Sequence, residues 1–272
     1  MIAYPNAKIN IGLNIAARRN DGFHDISTLF YPVKGFCDIL EIIVVKEQTN
    51  SVTFKQTGIE IDCVAENNLC TKAYNLINRI HPLPPLAMHL HKLIPVGAGL
   101  GGGSADGAFA LKLINELAGS PLTTQQLQDI ALELGSDCPF FITNSPCIGG
   151  GRGEKLTPID INLNGYTIVL VNPGIHVNTG KAYSLSTPKP WTVDLETLLN
   201  YKIEDWKENI INDFEKIVFV QHPEIESLKN KLYGMGAVYA AMSGSGSTVF
   251  GLFRNKPGNS DFGGCFVKVV DL

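Results

Sequence analysis

The stretch PVGAGLGGGSADGAFAL, residues 95–111, places five glycines within the seven positions from Gly97 to Gly103. Glycine loses more backbone freedom on folding than any other residue, about 0.5–1 kcal/mol against alanine inside a helix or strand. A tight turn needs one or two glycines, so five indicate a further purpose. A loop without Cβ atoms lets backbone N–H groups approach an anion closely. The helix predicted to begin near Ser104 would point its positive end at the same place, so the stretch predicts a phosphate-binding loop.

Two better-known glycine patterns do not account for this loop. Gly97, Gly99 and Gly102 satisfy the dinucleotide pattern G-x-G-x-x-G. That motif requires a second parallel strand after the helix, with an acidic residue about 20 positions on. Here the helix SADGAFALKLINELA is followed by another helical pattern, LTTQQLQDIALEL. A dinucleotide-dependent oxidoreductase is therefore disfavoured.

The stretch GIHVNTGKA, residues 174–182, resembles a Walker A loop but departs from it twice. Five residues rather than four separate its two glycines, and Ala182 stands where Ser or Thr would bind magnesium. The protein-kinase signatures are also missing, because DFGG at 261–264 lacks an H-R-D partner.

Composition places the chain among ordinary globular proteins. It has 272 residues, of which 44% are hydrophobic and 18% charged, and a net charge of −4. This balance favours neither a nucleic-acid nor a membrane partner. The six cysteines form no C-x-x-C pair, and the N-terminus lacks a secretory pattern. We therefore expect free thiols and a cytoplasmic location.

The first strand is evident in KINIGLNIA, residues 8–16. Ile9 and Ile11 alternate with Lys8 and Asn10, which predicts one core face and an opposite face that carries the lysine and the asparagine. The triplet at 20–22, Asn-Asp-Gly, predicts a tight hairpin turn.

Farther along, periodicity predicts a helix from about Asn68 to Ile80 and a helix capped by Thr123 or Thr124. SVTFKQ (51–56) and PFFIT (139–143) are predicted as strands. After a second glycine cluster, GGGRGEK at 149–155, the pattern restarts. Two α+β domains that meet near residues 150–160 are the expected organisation.

The loop PVGAGLGGGSADGA resembles the second motif of the GHMP kinases, the superfamily of galactokinase and of homoserine, mevalonate and phosphomevalonate kinases. Three further stretches are similar to motifs of the same family and occur in the expected order: NAKINIGLNIAARRNDGFHDISTLF, ELGSDCPFF and AMSGSGSTVFGLF. The resemblance thus covers the whole chain. It implies a two-domain α+β fold: an N-terminal GHMP-kinase domain with a mixed sheet and helices, residues 1–155, and a C-terminal ferredoxin-like α+β domain, residues 156–272.

The resemblance implies a kinase that transfers the γ-phosphoryl group of ATP to a hydroxyl of a small molecule. It also implies ATP and Mg²⁺ as cofactors. The GLGGGSAD form and the GFH turn are most similar to the branch whose acceptor is a methylerythritol unit carrying a cytidine diphosphate group, in non-mevalonate isoprenoid synthesis. Another GHMP kinase, with homoserine, mevalonate or a sugar as acceptor, is the alternative. A catalytically silent binding module of the same fold stays open, as does the oligomeric state.

Residue by residue, the resemblance implies Lys8 and Asp137 as the catalytic pair. Phosphoryl transfer needs a base that orients the acceptor hydroxyl and cations that neutralise phosphate, and a lysine beside a carboxylate keeps it ionised. The expected ATP-binding residues form the loop: Pro95, Val96, Gly97, Ala98, Gly99, Leu100, Gly101, Gly102, Gly103, Ser104 and Ala105.

The expected substrate-binding residues are Asn10, Phe23, His24, Thr179 and Tyr183. His24 matches the histidine that reads the cytosine ring in the family, and Phe23 replaces the usual tyrosine. Tyr183 falls where the family supplies the opposing aromatic ring. Thr179 can contact substrate or cap a helix.

Some polar residues carry two interpretations. Ser104 and Asp106 can approach magnesium or phosphate, and both also suit the first turn of any helix. His89 and His91 share a strand face, but without a third ligand nearby in sequence a polar face is favoured, so no metal site is predicted. The two glycines of MSGSGS, residues 242–247, can lie close to the loop or form a turn.

Overall fold

The computed structural model describes residues 1–46, 52–61, 63–258 and 260–272. Its strands are β1 Ile2–Ala3, β2 Asn6–Arg18, β3 His24–Cys37, β4 Ile39–Val44, β5 Val52–Gly58, β6 Leu86–Lys92, β7 Cys147–Gly150, β8 Lys155–Pro158, β9 Thr167–Asn172, β10 Tyr239–Met242, β11 Val249–Phe253 and β12 Phe266–Asp271. Its helices are α1 Leu69–Ile80, α2 Gly102–Leu117, α3 Thr124–Leu134, α4 Cys138–Thr143, α5 Thr179–Leu185, α6 Leu195–Leu199, α7 Trp206–Asn209, α8 Glu215–Gln221 and α9 Pro223–Gly234. Ser51, the first residue of the predicted strand SVTFKQ, lies outside the described residues.

The chain divides into two compact units whose segments alternate in sequence. Unit 1 comprises Met1–Ala7, Phe36–Val96 and Gly101–Ser145. Unit 2 comprises Lys8–Gly35, Gly97–Leu100 and Pro146–Leu272. The domain boundary expected at residue 155 stays a prediction.

Unit 1 combines a sheet of order β1-β4-β6-β5 with helices α1 to α4. Strand β4 pairs antiparallel with β1 and β6, while β5 pairs parallel with β6. Alternate residues of β6 are buried, from Leu86 through Met88 and Leu90 to Lys92. Period-two burial therefore places a lysine on the inner, apolar side of this strand.

Unit 2 contains the sheets β2-β3-β7-β8 and β10-β11-β9-β12. Strand β2 contributes Leu13 and Ile15 to a hydrophobic cluster that also includes Phe214 of the segment before α8 and Met242 of β10. All six residues of β9 are buried. The core of this unit therefore holds β2, a strand from the start of the chain, against elements from its second half.

Several helix and turn ends lie where local signals predict them. Asn68 caps α1 by accepting a hydrogen bond from the backbone of Cys70, and Thr123 forms a capping box with Gln126 at α3, which confirms both predicted helices. Gly22, with φ of +86°, lies in the turn between β2 and β3, as expected. The α+β class is confirmed.

The predicted strand PFFIT is wrong, because these residues lie within α4. Pro139 occupies the first turn of that helix, where its missing N–H costs nothing. Phe140 and Phe141 are both buried, which an alternating strand on a sheet surface would not allow. In the part of the chain that the structure describes, no helix has both the length and the apolar character needed to cross a bilayer.

Candidate active site

Lys8 lies on β2 with only 3% of its surface exposed. Its ammonium donates a hydrogen bond to Oδ1 of Asn10 and lies 5.1 Å from the centre of the Phe30 ring. The amide of Asn10 donates in turn to Oγ1 of Thr28 on β3, at 3.0 Å. The face that the sequence marked as polar is therefore buried as well, and its polar groups bind one another.

Within unit 2, the first half of the glycine loop packs on the stretch AMSGSGSTVFGLF, residues 241–253, which is here called the third motif. The hydroxyl of Ser243 donates to the carbonyl of Gly99 at 2.8 Å and accepts from the backbone N–H of Asn10 at 3.1 Å. Gly99 has φ of +77°, and a Cβ there would lie 2.1 Å from the carbonyl oxygen of Ser243. The backbone N–H of Lys8 donates to the carbonyl of Leu100 at 2.9 Å. These bonds tie the loop to the strand that carries Lys8.

Asn212, which the sequence analysis missed, holds the third motif in place. It is 1% exposed, and its amide donates to the carbonyls of Met242 and Gly244, each at 2.7 Å. Gly244 has φ of +57° and lies close to the side chain of Asn10 and to the backbone of Gly99. This glycine of the MSGSGS stretch therefore lies next to the glycine loop. The available signal was weak, because Asn212 follows only two apolar residues, Ile210 and Ile211, and is itself followed by Asp213.

The second half of the loop leads into α2 within unit 1. Gly101 precedes the helix in the left-handed region, with φ of +69°. At Gly102 a Cβ would lie 2.9 Å from Nζ of Lys92, so the site has no room for one. At Gly103 a Cβ would meet nothing within 4 Å. Neither packing nor a positive φ requires glycine at 103.

Asp137 lies directly before α4 and is half-buried. The next residue, Cys138, hydrogen-bonds with the side chain of Ser104 in the first turn of α2. Burial raises the pKa of the Cys138 thiol to about 12. The hydrogen bond with Ser104 lowers this pKa, whereas the charge of Asp137 raises it. Unit 1 thus brings the predicted base next to the start of the predicted phosphate-binding helix.

Asp106 points away from any phosphate site at the surface of α2. It is 2% exposed, and its Oδ2 accepts a hydrogen bond from Lys92 at 2.9 Å. Burial and the nearby Asp38 charge raise its pKa from 3.8 to about 8, against the opposing effect of Lys92. Of the two polar residues that open α2, Ser104 alone is partly accessible.

His89 and His91 both contact Oγ1 of Thr57 on the neighbouring strand, through Nε2 at 3.0 Å and Nδ1 at 2.9 Å. Among the described residues, no three His, Cys, Asp or Glu side chains are grouped so that they could hold a metal ion. The pair forms part of a polar sheet face.

His24 and Tyr183 form a stacked pair in unit 2, with ring centroids 4.8 Å apart and an interplanar angle of 17°. Tyr183 also packs edge-on against Phe214, at 4.8 Å. His24 is buried, and this burial, together with the charge of Arg18, lowers the pKa of its imidazole. The ring is therefore neutral at pH 7 and offers one donor and one acceptor nitrogen.

Phe23 is 49% exposed, and the guanidinium of Arg152 lies 4.5 Å from its ring centre. Thr179 is exposed at the start of α5, and its hydroxyl lies 2.7 Å from that of Ser245 in the third motif. The side chain of Asn178 caps α5 by accepting from the Lys181 backbone, so Thr179 does not serve as the cap.

The predicted site residues divide between the two units. Unit 2 contains Lys8, Asn10, Phe23, His24, Gly97, Ala98, Gly99, Leu100, Thr179 and Tyr183, and unit 1 contains Pro95, Val96, Gly101, Gly102, Gly103, Ser104, Ala105 and Asp137. Within the loop, Val96, Gly97 and Gly103 are exposed, whereas Ala98 and Leu100 are buried. No residue's role follows from position alone, so these assignments stay predictions.

The fold agrees with comparisons to known proteins. Residues 68–145 match the model of the GHMP kinases N-terminal domain, and residues 197–260 match that of the GHMP kinases C-terminal domain. The chain belongs to the GHMP kinase family.

One relative within this family is the 4-diphosphocytidyl-2-C-methyl-D-erythritol kinase of Parabacteroides distasonis. It is 47% identical over 271 residues, which cover 98% of either chain. A crystal structure of 4-(cytidine 5'-diphospho)-2C-methyl-D-erythritol kinase aligns with a TM-score of 0.79 and 30% identity, covering 93% of this chain and 90% of that one. Homoserine kinase from Cytophaga hutchinsonii aligns with a TM-score of 0.59 at 16% identity, covering 97% of this chain and 94% of that one, and so shares the fold.

Proposed function

We propose that this protein is a kinase that transfers the γ-phosphoryl group of ATP to the 2-hydroxyl of 4-diphosphocytidyl-2-C-methyl-D-erythritol, a step of the non-mevalonate isoprenoid pathway. The observation that carries this proposal is the 47% identity, over 98% of both chains, to an enzyme of that name. The alternative acceptors, such as homoserine, have support only from a shared fold at 16% identity.

In this proposal Asp137 takes the proton of the acceptor hydroxyl as the phosphoryl group is transferred. A positioned base of this kind typically contributes about 10²–10⁴-fold to the rate. Lys8 lowers the energy of the negative charge that develops on the acceptor oxygen. Its burial supports this role, because an ammonium held by Asn10 in an apolar strand exerts its charge with little screening by water.

The nucleotide phosphates would lie at the N-terminus of α2, where the first backbone N–H groups have no partner within the helix. The open surroundings of Gly103 support this placement. Mg²⁺ that is bound with ATP would supply positive charge that neutralises the phosphates. Because Asp106 is buried against Lys92, Ser104 is the polar side chain of this turn that could reach such an ion.

The cytidine group would bind near His24, Phe23 and Tyr183. A stacked pair of rings next to a half-exposed aromatic ring provides flat apolar area, and the neutral imidazole can read the edge of a base. Thr179 lies on the same helix as Tyr183 and offers a hydroxyl at the surface.

A panel of acceptors tests the proposal. Purified protein is given Mg-ATP with 4-diphosphocytidyl-2-C-methyl-D-erythritol, homoserine, mevalonate or galactose, and release of ADP is followed with Asp137→Asn as the matched inactive control. We expect turnover with the cytidylyl substrate and little with the others. Preferential turnover of another acceptor would contradict the substrate assignment but keep the kinase class. A wild-type protein that binds neither ATP nor ADP would contradict both.

A further inference from the structure

A lysine and two aspartates form a fully enclosed cluster beneath the start of α2. Lys92, Asp38 and Asp106 are each at most 2% exposed. The Lys92 ammonium forms ion pairs with Oδ2 of Asp38 and with Oδ2 of Asp106, the latter at 2.9 Å. Burial alone would lower the pKa of Lys92, but the two carboxyl groups outweigh it and the pKa is raised. Lys92 is therefore a permanent cation within unit 1.

Each member of this cluster comes from a different part of unit 1. Lys92 ends β6, Asp38 lies between β3 and β4, and Asp106 lies in the early part of α2. The second oxygen of Asp38 accepts from the backbone N–H groups of Leu93 and Ile94, at 2.6 and 2.9 Å. The cluster thus connects the end of β6, before the glycine loop, to the beginning of α2, after it.

The contact with the helix is close. A Cβ on Gly102 would lie 2.9 Å from Nζ of Lys92, so the ammonium occupies the space beside the first residue of α2. The backbone of Lys92 is also closely packed. Its carbonyl oxygen accepts a hydrogen bond from the backbone N–H of Ile59 at 2.9 Å, and a Cβ on Gly58 would lie 2.2 Å from the same oxygen. Lys92 is therefore held by its backbone as well as by its side chain.

The charges of the cluster also suit a neighbouring anion site. Oδ1 of Asp106 has no hydrogen-bond partner within the described residues. The raised pKa of Asp106, about 8, leaves this carboxyl mostly protonated at pH 7. The Lys92 ammonium lies beside the first residue of α2, where its charge has the same sign as the positive end of the helix.

We propose that Lys92 is a positioning residue for nucleotide binding: through Asp38 and Asp106 it holds the first turn of α2 in the arrangement in which its backbone N–H groups bind phosphate. This inference rests on the proposed function, because it takes ATP as the ligand of that turn. Lys92 touches no substrate and acts only through the backbone that it fixes.

Nucleotide affinity measured on matched variants tests this role. Asp106→Leu keeps the same branched arrangement of side-chain heavy atoms and removes the acceptor for Lys92, whereas Asp106→Asn keeps an oxygen at that position. Lys72→Met, at an exposed lysine of α1, is the control for loss of a lysine in the same unit. Binding of ADP is measured by titration calorimetry, with the cytidylyl substrate as a second ligand, at a temperature where circular dichroism shows each variant folded.

We expect Asp106→Leu and Lys92→Met to raise the Kd for ADP about tenfold or more, the size expected when a charged hydrogen bond is lost. Their Kd for the cytidylyl substrate should stay as in the wild type, Lys72→Met should match the wild type, and Asp106→Asn should lose much less affinity than Asp106→Leu. If Asp106→Leu does not fold, Asp106→Ala gives the same comparison. Variants that melt at a lower temperature but bind ADP as the wild type does would overturn the inference.

Hydrogen exchange separates this inference from the proposed function. Exchange of the backbone amides of residues 103–106 should be faster in Asp106→Leu than in the wild type. If the wild type binds no ADP, the proposed function fails, yet faster exchange would still support the positioning role. Unchanged exchange would overturn it whether or not ADP binds.

Discussion

The imidazole of His24 lies flat on the phenol ring of Tyr183, with centroids 4.8 Å apart, and Tyr183 rests edge-on against Phe214. One end of this stack therefore belongs to the β2–β3 turn and the other to the core of unit 2. A base that binds here would meet rings held in place by the fold, so little of its binding energy would be lost in ordering side chains.

We expect Tyr183→Ala to raise KM for the cytidylyl substrate about ten- to hundredfold while KM for ATP stays unchanged. Stacking of a base on an aromatic ring is worth about 1–3 kcal/mol, which corresponds to that range of affinity. Because Tyr183 also packs on Phe214, the alanine variant should melt at a lower temperature. Tyr183→Phe keeps the ring and is the matched control. An unchanged KM in Tyr183→Ala, assayed below its melting temperature, would leave Tyr183 a core residue only.

Phe23 offers a cleaner separation of binding from stability, because half of its surface is exposed. Phe23→Ala should change the free energy of unfolding by no more than about 1 kcal/mol, the size of an exposed contact such as that with the Arg152 guanidinium, and should raise KM for the cytidylyl substrate severalfold or more. Phe23→Tyr retains the ring face and should change little. Urea unfolding and steady-state kinetics on the same preparations check both parts, and a Phe23→Ala enzyme with wild-type KM would remove Phe23 from the substrate site.

Asp137→Asn should lower kcat about 10²–10⁴-fold, the usual contribution of a positioned base, with nucleotide affinity nearly unchanged. Lys8→Met should also lower kcat, but it leaves Oδ1 of Asn10 without its donor, so a lower melting temperature is expected as well. Asp129→Asn, at an exposed position of α3, controls for loss of a carboxylate. Rapid-quench measurement of the phosphoryl-transfer step decides the matter, since a normal rate in Asp137→Asn would exclude Asp137 as the base.

Local rules were enough to locate the loop, the helix caps and the first strand. They were less informative about which polar residues are buried. The alternation in KINIGLNIA assigned Lys8 and Asn10 to the face opposite the core but did not indicate that this face is buried too, since both residues are at most 3% exposed. The reason is that β2 is covered on both sides, and Thr28 from the neighbouring strand satisfies the amide of Asn10.

Period-two alternation near two other strands, β4 and β6, also indicates which charged residues are buried. Lys92 is in phase with buried Leu86, Met88 and Leu90, and Asp38 is in phase with buried Leu40 and Ile42. A lysine and an aspartate on the apolar phase of two strands indicate a buried ion pair, because an isolated charge there is too costly. That the two would meet depends on the pairing of β4 with β6.

Two other features were beyond local reasoning. Asn212 binds carbonyls of residues 30 and 32 positions away, and no short-range pattern records that contact. PFFIT reads equally well as a buried strand or a short buried helix, and periodicity alone cannot separate the two in five residues. Its position packed between α2 and α3 decides for the helix.

The buried carboxyl of Asp106 predicts a specific dependence of stability on pH. Its pKa is about 8 in the folded protein and has an ordinary value of 3.8. The folded state therefore holds this proton more tightly, so the stabilisation is complete below about pH 4 and is lost as the pH rises toward 8. Asp106→Asn carries no such proton. The free energy of unfolding of the wild type, relative to this variant, should fall between pH 5 and pH 8.

Urea unfolding of both proteins at several pH values separates the Asp106 cluster from the rest of the chain, because the titrating groups that do not contact Asp106 are common to the two. Glu215, whose pKa burial also raises, contributes equally to both curves. A constant difference between wild type and Asp106→Asn across that pH range would show that Asp106 stays ionised throughout.

Gly103 gives the most direct test of the phosphate loop, because it is a glycine that the protein's own packing does not require. Substitutions at its neighbours would confuse binding with folding: Gly101 has φ of +69°, and a Cβ at Gly102 would meet the Lys92 ammonium. At Gly103 a Cβ would meet nothing within 4 Å, and valine is a slightly better helix former than glycine. Gly103→Val should therefore melt at or above the wild-type temperature.

If the phosphates of ATP lie against this turn, the side chain added in Gly103→Val holds them away from the backbone N–H groups. KM for ATP should then rise about tenfold or more, as for loss of one charge-assisted hydrogen bond. KM for the cytidylyl substrate should stay unchanged, and Gly119→Val, at a glycine whose Cβ would also meet nothing but whose φ is +82°, should instead lose stability and keep its KM for ATP. A stable Gly103→Val protein with wild-type KM for ATP would place the nucleotide elsewhere.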